Sequence, residues 1–444
     1  MRYLPHTEQE ISEMLAVTGH THLDDLFSHI PDNCRFQDEV DLPGPLTEWA
    51  LSETFQGLAK RNAAASARAV LLGGGSYSHY IPEIVPSLIK RSEFLTAYTP
   101  YQPEMSQGTL QGIFEYQTLT ARLLGMEVAN ASMYDGASAL AEALLMTLRI
   151  GRRKQTVAVS TAIHPHYREV VKSYLRAGKF NIIELETGSD GRTDTSGLQQ
   201  IDGLAGVALQ SPNFFGVIED LGNAANDIHG ADALFVSCFS EPFAYGILGS
   251  PGANGADIVC GEGQSFGMSQ SFGGPGLGMF ACRKEYQRSL PGRLVGETVD
   301  LDGKRGYVLT LSTREQHIRR EKATSNICSN QGLCALTAAV YMACLGSTGL
   351  RQVAKLNHDK AEYLKKGLME AGAEELFSGP TFNEFVLNFK FDFGSIREKL
   401  LHRGIIAGME LGRLYPALEG AYLFCVTETT SKTVLDEVIN EVRP

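Results

Sequence analysis

Four short runs rich in β-branched residues alternate with helical stretches between residues 156 and 238, and this alternation limits the fold more than any other feature. The runs are TVAVS (Thr156–Ser160), NIIEL (Asn181–Leu185), GVALQ (206–210) and ALFVSC (233–238). Continuous apolar strands separated by helices are typical of a largely parallel sheet that is covered on both faces. The sequence therefore predicts an α/β large domain with a mainly parallel sheet between helices.

The first sixty residues predict a helical arm. Thr7 and Glu10 have the spacing of a capping box, and apolar residues follow in a helical pattern at Ile11, Met14 and Leu15. An arm of this kind is expected to pack on another surface.

After Gly332 the pattern predicts a smaller α+β domain. Two long helices (334–345 and 350–371) precede a strand (384–389), a helix (395–403), a strand (421–426) and a closing helix. We therefore expect three parts, which are an N-terminal arm over 1–62, the large domain over 63–331 and the C-terminal domain over 332–444.

Composition excludes several classes of protein. The 444 residues are 43% hydrophobic and 20% charged, and the formal net charge of -12 argues against nucleic acid as the main partner. The longest strongly apolar segment, 334–345, is too short to span a bilayer, and the first ten residues lack the apolar core of a signal peptide. A soluble, cytoplasmic protein is expected.

The eight cysteines include no CxxC pair, which argues against a disulfide framework or a zinc site. Cys260, Cys282, Cys344 and Cys425 lie inside apolar runs, as reduced core thiols do. We expect these four side chains to be buried.

One glycine-rich loop, GEGQSFGMSQSFGGPGLG over 261–278, lies between two apolar runs. It resembles the loop of aminotransferase-type pyridoxal phosphate enzymes in which a lysine forms a Schiff base with the cofactor. Here the corresponding position is Gln264, and no lysine occurs between Lys179 and Lys284. Because the lone pair of an amide nitrogen is delocalised into the carbonyl, Gln264 cannot form that imine.

Three other positions of such a cofactor site also read differently. Asp135 opens a predicted helix where the phosphate would bind, and it is expected to cap the helix and to repel an anion. The run 236–240 ends without an acid before Glu241, so no carboxylate is predicted for the ring nitrogen. His164 and His166 follow a strand near the expected ring position, but helix capping and surface packing are favoured over catalysis or metal binding.

The segment 98–104 contains two prolines, which exclude a helix and favour a rigid extended loop. It displays two phenols, an amide and a carboxylate. A structural turn with surface tyrosines and a functional loop are both compatible with these residues. Another loop, 72–77, is rich in glycine but lacks the GxGxxG spacing of a dinucleotide-binding fingerprint.

Four longer strings connect these features to a known family. They are TAYTPYQPEMSQG (96–108), NASMYDGASALAEA (130–143), QSPNFFGVIED (210–220) and REQHIRREKATSNIC (314–328). Together they resemble the glycine decarboxylase P-protein of the glycine cleavage system. More narrowly, they resemble its N-terminal half, which is a separate first subunit in many prokaryotes.

The resemblance implies a fold-type-I pyridoxal phosphate transferase-like chain that is inactive alone. A homologous second subunit would carry pyridoxal phosphate, and the lipoyl group of the H-protein would accept the aminomethyl group from glycine, formally as an oxidoreductase. Two heterodimers are expected, without a metal. This chain would supply no catalytic residue, only a loop of a shared pocket: Tyr98, Thr99, Pro100, Tyr101, Gln102 and Glu104.

Two alternatives remain at this point. An autonomous pyridoxal phosphate lyase or aminotransferase would use an unexpected lysine and would show a coloured internal aldimine. A non-enzymatic assembly or regulatory protein would keep only the fold, and changes in the loop 98–104 would leave glycine decarboxylation unchanged.

Overall fold

A computed structural model describes residues 5–36, 40–62, 67–325, 327 and 329–443. The chain divides into two compact units, Met1–Asn62 and Ala63–Pro444. The predicted boundary between a large and a C-terminal domain at residue 331 stays a prediction.

The N-terminal unit contains helices α1 (Glu8–Val17) and α2 (Glu48–Lys60). The predicted capping box is confirmed, because the Thr7 side chain accepts from Glu10 N and the Glu10 carboxylate accepts from Thr7 N at 2.6 Å. Of the predicted apolar stripe, Leu15 is buried, whereas Met14 is 47% exposed.

A seven-stranded sheet forms the centre of the second unit. Its strands, in chain order, are β2 (Val128–Ala129), β3 (Thr156–Ser160), β4 (Asn181–Leu185), β5 (Leu204–Gln210), β6 (Leu234–Phe239), β7 (Ile258–Glu262) and β8 (Gly278–Cys282). Their spatial order is β2-β8-β7-β6-β5-β3-β4, and the pairs from β7 through β4 are parallel. Strand β8 runs antiparallel to both of its neighbours, β7 and β2. Because the other pairs of the sheet are parallel, the predicted mainly parallel sheet is confirmed.

Helices cover both faces of this sheet. The helices that contribute buried residues to the two clusters around it include α3 (Ile84–Ile89), α5 (Gln107–Leu124), α6 (Gly136–Gly151), α7 (Pro165–Arg176) and α8 (Leu221–Gly230); the short α4 (Ser92–Leu95) has no buried residue. Successive residues of β3 enter different clusters: Ala158 packs with the cluster that includes α5 and α8, and Val157 and Val159 pack with α6 and α7. Alternation across a strand explains this division, and burial on both faces explains the continuous apolar runs.

The remaining elements include a hairpin, a long helix and a second sheet. They are β1 (Ala69–Leu71), β9 (Leu294–Val299), β10 (Arg305–Thr310), α9 (Gln316–Arg319), α10 (Gly332–Glu370), β11 (Ala373–Glu375), β12 (Glu384–Phe389), α11 (Phe393–His402), β13 (Ile405–Ala407), β14 (Met409–Glu410), β15 (Ala421–Cys425) and α12 (Lys432–Val442). Strands β11, β12, β15 and β14 form an antiparallel sheet in that order, and β1 pairs with β13. The two predicted long helices are the limbs of α10, which is kinked at Gly346.

Helix α10 bears on two expectations, and it corrects the one about Cys344. By length and composition it could cross a membrane, although the apolar segment 334–345 alone is too short. Its buried Ala335, Ala338 and Tyr341 belong to the main core cluster, which explains the apolar composition. Cys344 is exposed rather than buried, since it lies off this packed face and next to the kink at Gly346. Cys260, Cys282 and Cys425 are buried as predicted.

Candidate functional site

Gln264 lies in the loop between β7 and β8, at the position expected for a Schiff-base lysine. Its side chain is a two-point hydrogen-bonding partner of the Tyr77 main chain: Oε1 accepts from Tyr77 N and Nε2 donates to Tyr77 O, both at 3.1 Å. The same Nε2 donates to Met268 O at 2.6 Å. The residue is buried. The amide that replaces the lysine therefore fixes a second segment of the chain.

That second segment, residues 73–80, is called the filling segment here. Gly73, Gly74 and Gly75 all have positive φ, a conformation that favours glycine. A Cβ atom on Gly75 would lie 2.7 Å from the His164 ring, and one on Gly73 would lie 2.1 Å from Glu384 Oε1. The segment thus packs against the histidine at the expected ring position as tightly as a glycine backbone permits.

His164 is the N-cap of α7 and holds the filling segment. Its Nε2 donates to Gly74 O at 2.9 Å, and Nδ1 accepts from His166 N at 3.2 Å. Burial lowers the pKa of His164 to about 4, so this ring is neutral near pH 7. The predicted helix capping is confirmed, but surface packing is wrong for His164, because its ring contacts the filling segment; His166 is exposed.

The N-terminus of α6, where a cofactor phosphate was expected, is occupied by two carboxylates. Asp135 accepts from Ser138 N at 2.7 Å, which confirms the predicted N-cap. Glu262 Oε2 accepts from Gly136 N at 3.0 Å, while Oε1 accepts from Leu277 N at 2.8 Å. Burial raises the pKa of Glu262 even though these N–H groups favour its charged form. An anion would compete with these two carboxylates for Gly136 N and Ser138 N.

Sequence reasoning missed Glu262. Its acidic side chain at the end of an otherwise apolar strand was the available signal, since a buried carboxylate requires donors.

The end of β6 contacts the filling segment through Tyr77. Its hydroxyl lies 3.0 Å from Ser240 Oγ and donates to Glu384 Oε2 at 2.7 Å. Glu384, the first residue of β12, also accepts from Gly74 N at 2.7 Å. Burial raises the pKa of Glu384 to about 7. The filling segment therefore joins the large domain to the C-terminal sheet.

A buried ion-pair network, here called the His79 clamp, continues this connection. His79 Nε2 lies 2.8 Å from Glu241, which follows β6, and Nδ1 lies 2.8 Å from Glu428, which follows β15. The side chains of His79 and Glu241 are each 2% exposed. Burial alone would lower the pKa of His79, but the two carboxylates, Glu241 first, outweigh burial and raise it to about 10. The clamp is thus an imidazolium between two carboxylates at neutral pH.

These residues do not fit pyridoxal phosphate. Gln264 offers no amine, and Glu262 and Asp135 accept from Gly136 N and Ser138 N at the α6 N-terminus. The filling segment contacts His164, Gln264 and the end of β6. Among the residues that the structure describes, no group of three His, Cys, Asp or Glu side chains could hold a metal.

The predicted loop 98–104 is a second region, with well-defined contacts. Arg293 donates to Thr99 Oγ1 at 3.3 Å and to the Tyr101 hydroxyl at 2.7 Å. Tyr98 is 81% exposed. Gln102 and Glu104 are also exposed, within the turn that precedes α5. Sequence reasoning missed Arg293, which is nearly two hundred positions away from the loop.

Three of the six predicted loop residues, Tyr98, Thr99 and Pro100, line a cavity of about 100 Å³. The opposite wall comes from α5 and from the start of α10, including Ile113, Asn330 and Leu333. Tyr101, Gln102 and Glu104 do not line it. The structure therefore places the loop at a small, mostly apolar cavity near the surface. Neither Gln264 nor any residue of the filling segment lines this cavity.

Comparison with known proteins identifies the family of this chain. The family model described as glycine cleavage system P-protein matches residues 1–442. A probable glycine dehydrogenase (decarboxylating) subunit 1 from Desulfotalea psychrophila is 62% identical over 100% of this chain and 98% of its own length. A protein of the same name from Oceanobacillus iheyensis is 48% identical over 99% of this chain and 98% of its own length.

Solved structures give the same result. A crystal structure of glycine decarboxylase (P-protein) of the glycine cleavage system, in inhibitor-bound form, matches with a TM-score of 0.89 and 46% identity over 100% of this chain and 99% of that chain. A NifS-like protein matches with a TM-score of 0.62 at 15% identity over 84% of this chain and 98% of that chain, which shows the fold alone. The chain therefore belongs to the glycine cleavage system P-protein family.

Proposed function

We propose that this chain is the subunit of glycine dehydrogenase (decarboxylating) that lacks the cofactor lysine. With a homologous partner it decarboxylates glycine and transfers the aminomethyl group to the lipoyl disulfide of the H-protein. The relatives named subunit 1 support a second subunit, and the fold supports common ancestry with pyridoxal phosphate enzymes. The partner chain holds the pyridoxal phosphate.

The observation that carries this proposal is the filled centre around Gln264. A chain that bound the cofactor itself would need an amine, free phosphate donors and space for the ring. Here Gln264, Glu262 and residues 73–80 bond to one another in those places. The autonomous lyase or aminotransferase is therefore the weaker interpretation.

The contribution of this chain to catalysis is the loop 98–104. Tyr98 and Tyr101 are 81% and 49% exposed. Their rigid rings offer a large area for contact with a partner at a low cost in side-chain entropy. Arg293 holds Thr99 and Tyr101 from the protein side. The loop is thus suited to line a pocket shared with the partner, where it orients glycine and excludes water. It provides no proton-transfer group in this proposal.

The assembly is a pair of heterodimers in the cytoplasm. A twofold arrangement is the usual closed symmetry for such subunits. The lipoyl arm of the H-protein enters from outside this chain, and no metal takes part.

The proposal is tested by purifying this chain and its lysine-bearing partner separately and together. Glycine-dependent exchange of labelled carbon dioxide is measured with lipoylated H-protein. We expect exchange only when both chains are present. Full exchange by the partner alone would remove any need for this chain, and exchange by this chain alone would establish the autonomous enzyme instead.

A further inference from the structure

A buried arginine lies directly behind the exposed loop 98–104. The Arg293 side chain is 3% exposed, and its two terminal nitrogens reach different loop residues, Thr99 Oγ1 at 3.3 Å and the Tyr101 hydroxyl at 2.7 Å. Its Cζ atom lies 5.1 Å from the centre of the Tyr101 ring. A planar guanidinium can make these contacts together, whereas a lysine ammonium is a single point of charge.

The arginine is itself fixed from the other side. Its Nε donates to Glu315 Oε2 at 3.3 Å, and that carboxylate side chain is 8% exposed. Its carbonyl accepts from Ala131 N at 2.9 Å, which ties this position to the segment before α6. Arg314 donates to the carbonyl of the preceding Gly292 at 3.3 Å. The guanidinium is therefore held at Nε by Glu315 independently of the loop, and the main chain that carries it is bonded to neighbouring segments.

Arg293 contacts the side chains of two residues of this loop, Thr99 and Tyr101. Within the loop, Tyr101 N donates to Thr99 O at 2.9 Å. The prolines restrict the backbone but do not set the direction of the Tyr101 ring. Arg293 sets that direction through both the hydroxyl and the ring face.

We propose that Arg293, supported by Glu315, is a positioning residue that orients Thr99 and Tyr101 for the reaction in the assembled enzyme. This inference rests on the proposed function of the loop 98–104. Arg293 acts through the loop and does not contact glycine. A displacement of the loop by about 1 Å would lower kcat/KM on the order of 10- to 100-fold.

The test uses the complex of both subunits and compares Arg293→Lys, Tyr101→Phe and the double variant. Tyr101→Phe removes the hydroxyl and keeps the ring. We expect each single variant to lower kcat/KM for glycine-dependent exchange by roughly tenfold or more. The double variant should be no slower than the slower single variant, because both changes break the same contact. Arg288→Gln, an exposed arginine in the same region, should leave the rate unchanged.

A second variant keeps the test valid if Arg293→Lys fails to assemble. Thr99→Val with Tyr101→Phe leaves the arginine and its Glu315 pair intact, yet removes both hydroxyl acceptors. It should reproduce the loss of kcat/KM with an unchanged melting temperature and an unchanged elution volume of the complex. The positioning role would be overturned if Arg293→Lys and Tyr101→Phe lowered kcat/KM multiplicatively when combined. It would also be overturned if the loss of kcat/KM in each variant matched its loss of assembled complex.

Failure of this inference differs from failure of the proposed function. If Tyr98→Ala and the Tyr101 variant both leave exchange unchanged, the loop has no role in the reaction. If these loop variants slow exchange while Arg293→Lys remains at the wild-type rate, only the role of Arg293 is wrong.

Discussion

Replacing His79 with glutamine should strongly destabilise the second unit. The substitution removes the cation between Glu241 and Glu428 and leaves two carboxylates of 2% and 10% exposure without it. Removing one partner of a buried ion pair costs about 3 to 5 kcal/mol, because the remaining charge is buried and uncompensated. A glutamine amide can donate to one carboxylate but carries no charge.

The pH dependence of this loss follows from the direction of the pKa shifts. The pKa of His79 is raised to about 10, so its stabilisation is complete below the ordinary histidine pKa and is lost as pH rises through the folded value. The pKa of Glu428 is lowered, since bonds and charge from His79 outweigh burial, so its contribution is present above the ordinary carboxyl pKa and is lost in acid. The difference in free energy of unfolding between wild type and His79→Gln should be largest near pH 5 to 6.5, which is about the interval between the ordinary pKa values of Glu and His. This difference should become smaller toward pH 10.

The measurement is thermal and urea unfolding followed by far-ultraviolet circular dichroism at several pH values. Hydrogen exchange of β12 and β15 then locates the loss. His402→Gln, an exposed histidine on α11, is the control and should change stability by less than about 0.5 kcal/mol. The stabilising role of the His79 clamp would be refuted if His79→Gln were as stable as wild type, or if the difference in their free energies of unfolding did not decrease as pH rises.

The other predictions concern the same centre. Gln264→Lys should not create a second pyridoxal phosphate site, because Glu262 and Asp135 still accept from Gly136 N and Ser138 N, where the phosphate would bind. Borohydride reduction followed by peptide mass spectrometry should find no pyridoxyl group on the introduced lysine. A stoichiometric adduct there would contradict the filled centre. Gly75→Ala should destabilise the protein by more than Gly197→Ala, since both have positive φ but only the first places a Cβ 2.7 Å from the His164 ring, whereas the second meets nothing within 4 Å. Equal melting temperatures for these two alanine variants would show that the filling segment is not closely packed.

Much of the fold follows from local sequence. The runs at Thr156–Ser160 and Asn181–Leu185 have the bounds of β3 and β4, and the strand Glu384–Phe389 has those of β12. β3 is buried along its whole length in the parallel part of the sheet, so its continuous apolar run is visible in a single sequence. Gln264 could also be interpreted directly, because an amide cannot replace an amine in imine chemistry.

The residues that occupy the filled centre around Gln264 could not be predicted in this way. Tyr77 and Gln264 are 187 positions apart, and the glycines at 73–75 indicated only a loop without the spacing of a dinucleotide-binding fingerprint. His79 was not identified at all, since its partners Glu241 and Glu428 follow strands of two different sheets, β6 and β15. The loop 98–104 was identified from its prolines and tyrosines, but Arg293 and the cavity depend on packing that brings distant segments together.

The location of the cofactor in the assembled enzyme tests the central claim most directly. The complex of both subunits is reduced with borohydride, which converts a Schiff base into a stable secondary amine, and the lysine that carries the pyridoxyl group is identified by peptide mass spectrometry. The account predicts one modified lysine per heterodimer, on the partner chain. A pyridoxyl group in stoichiometric yield on any lysine of this chain, such as the exposed Lys322, would contradict it.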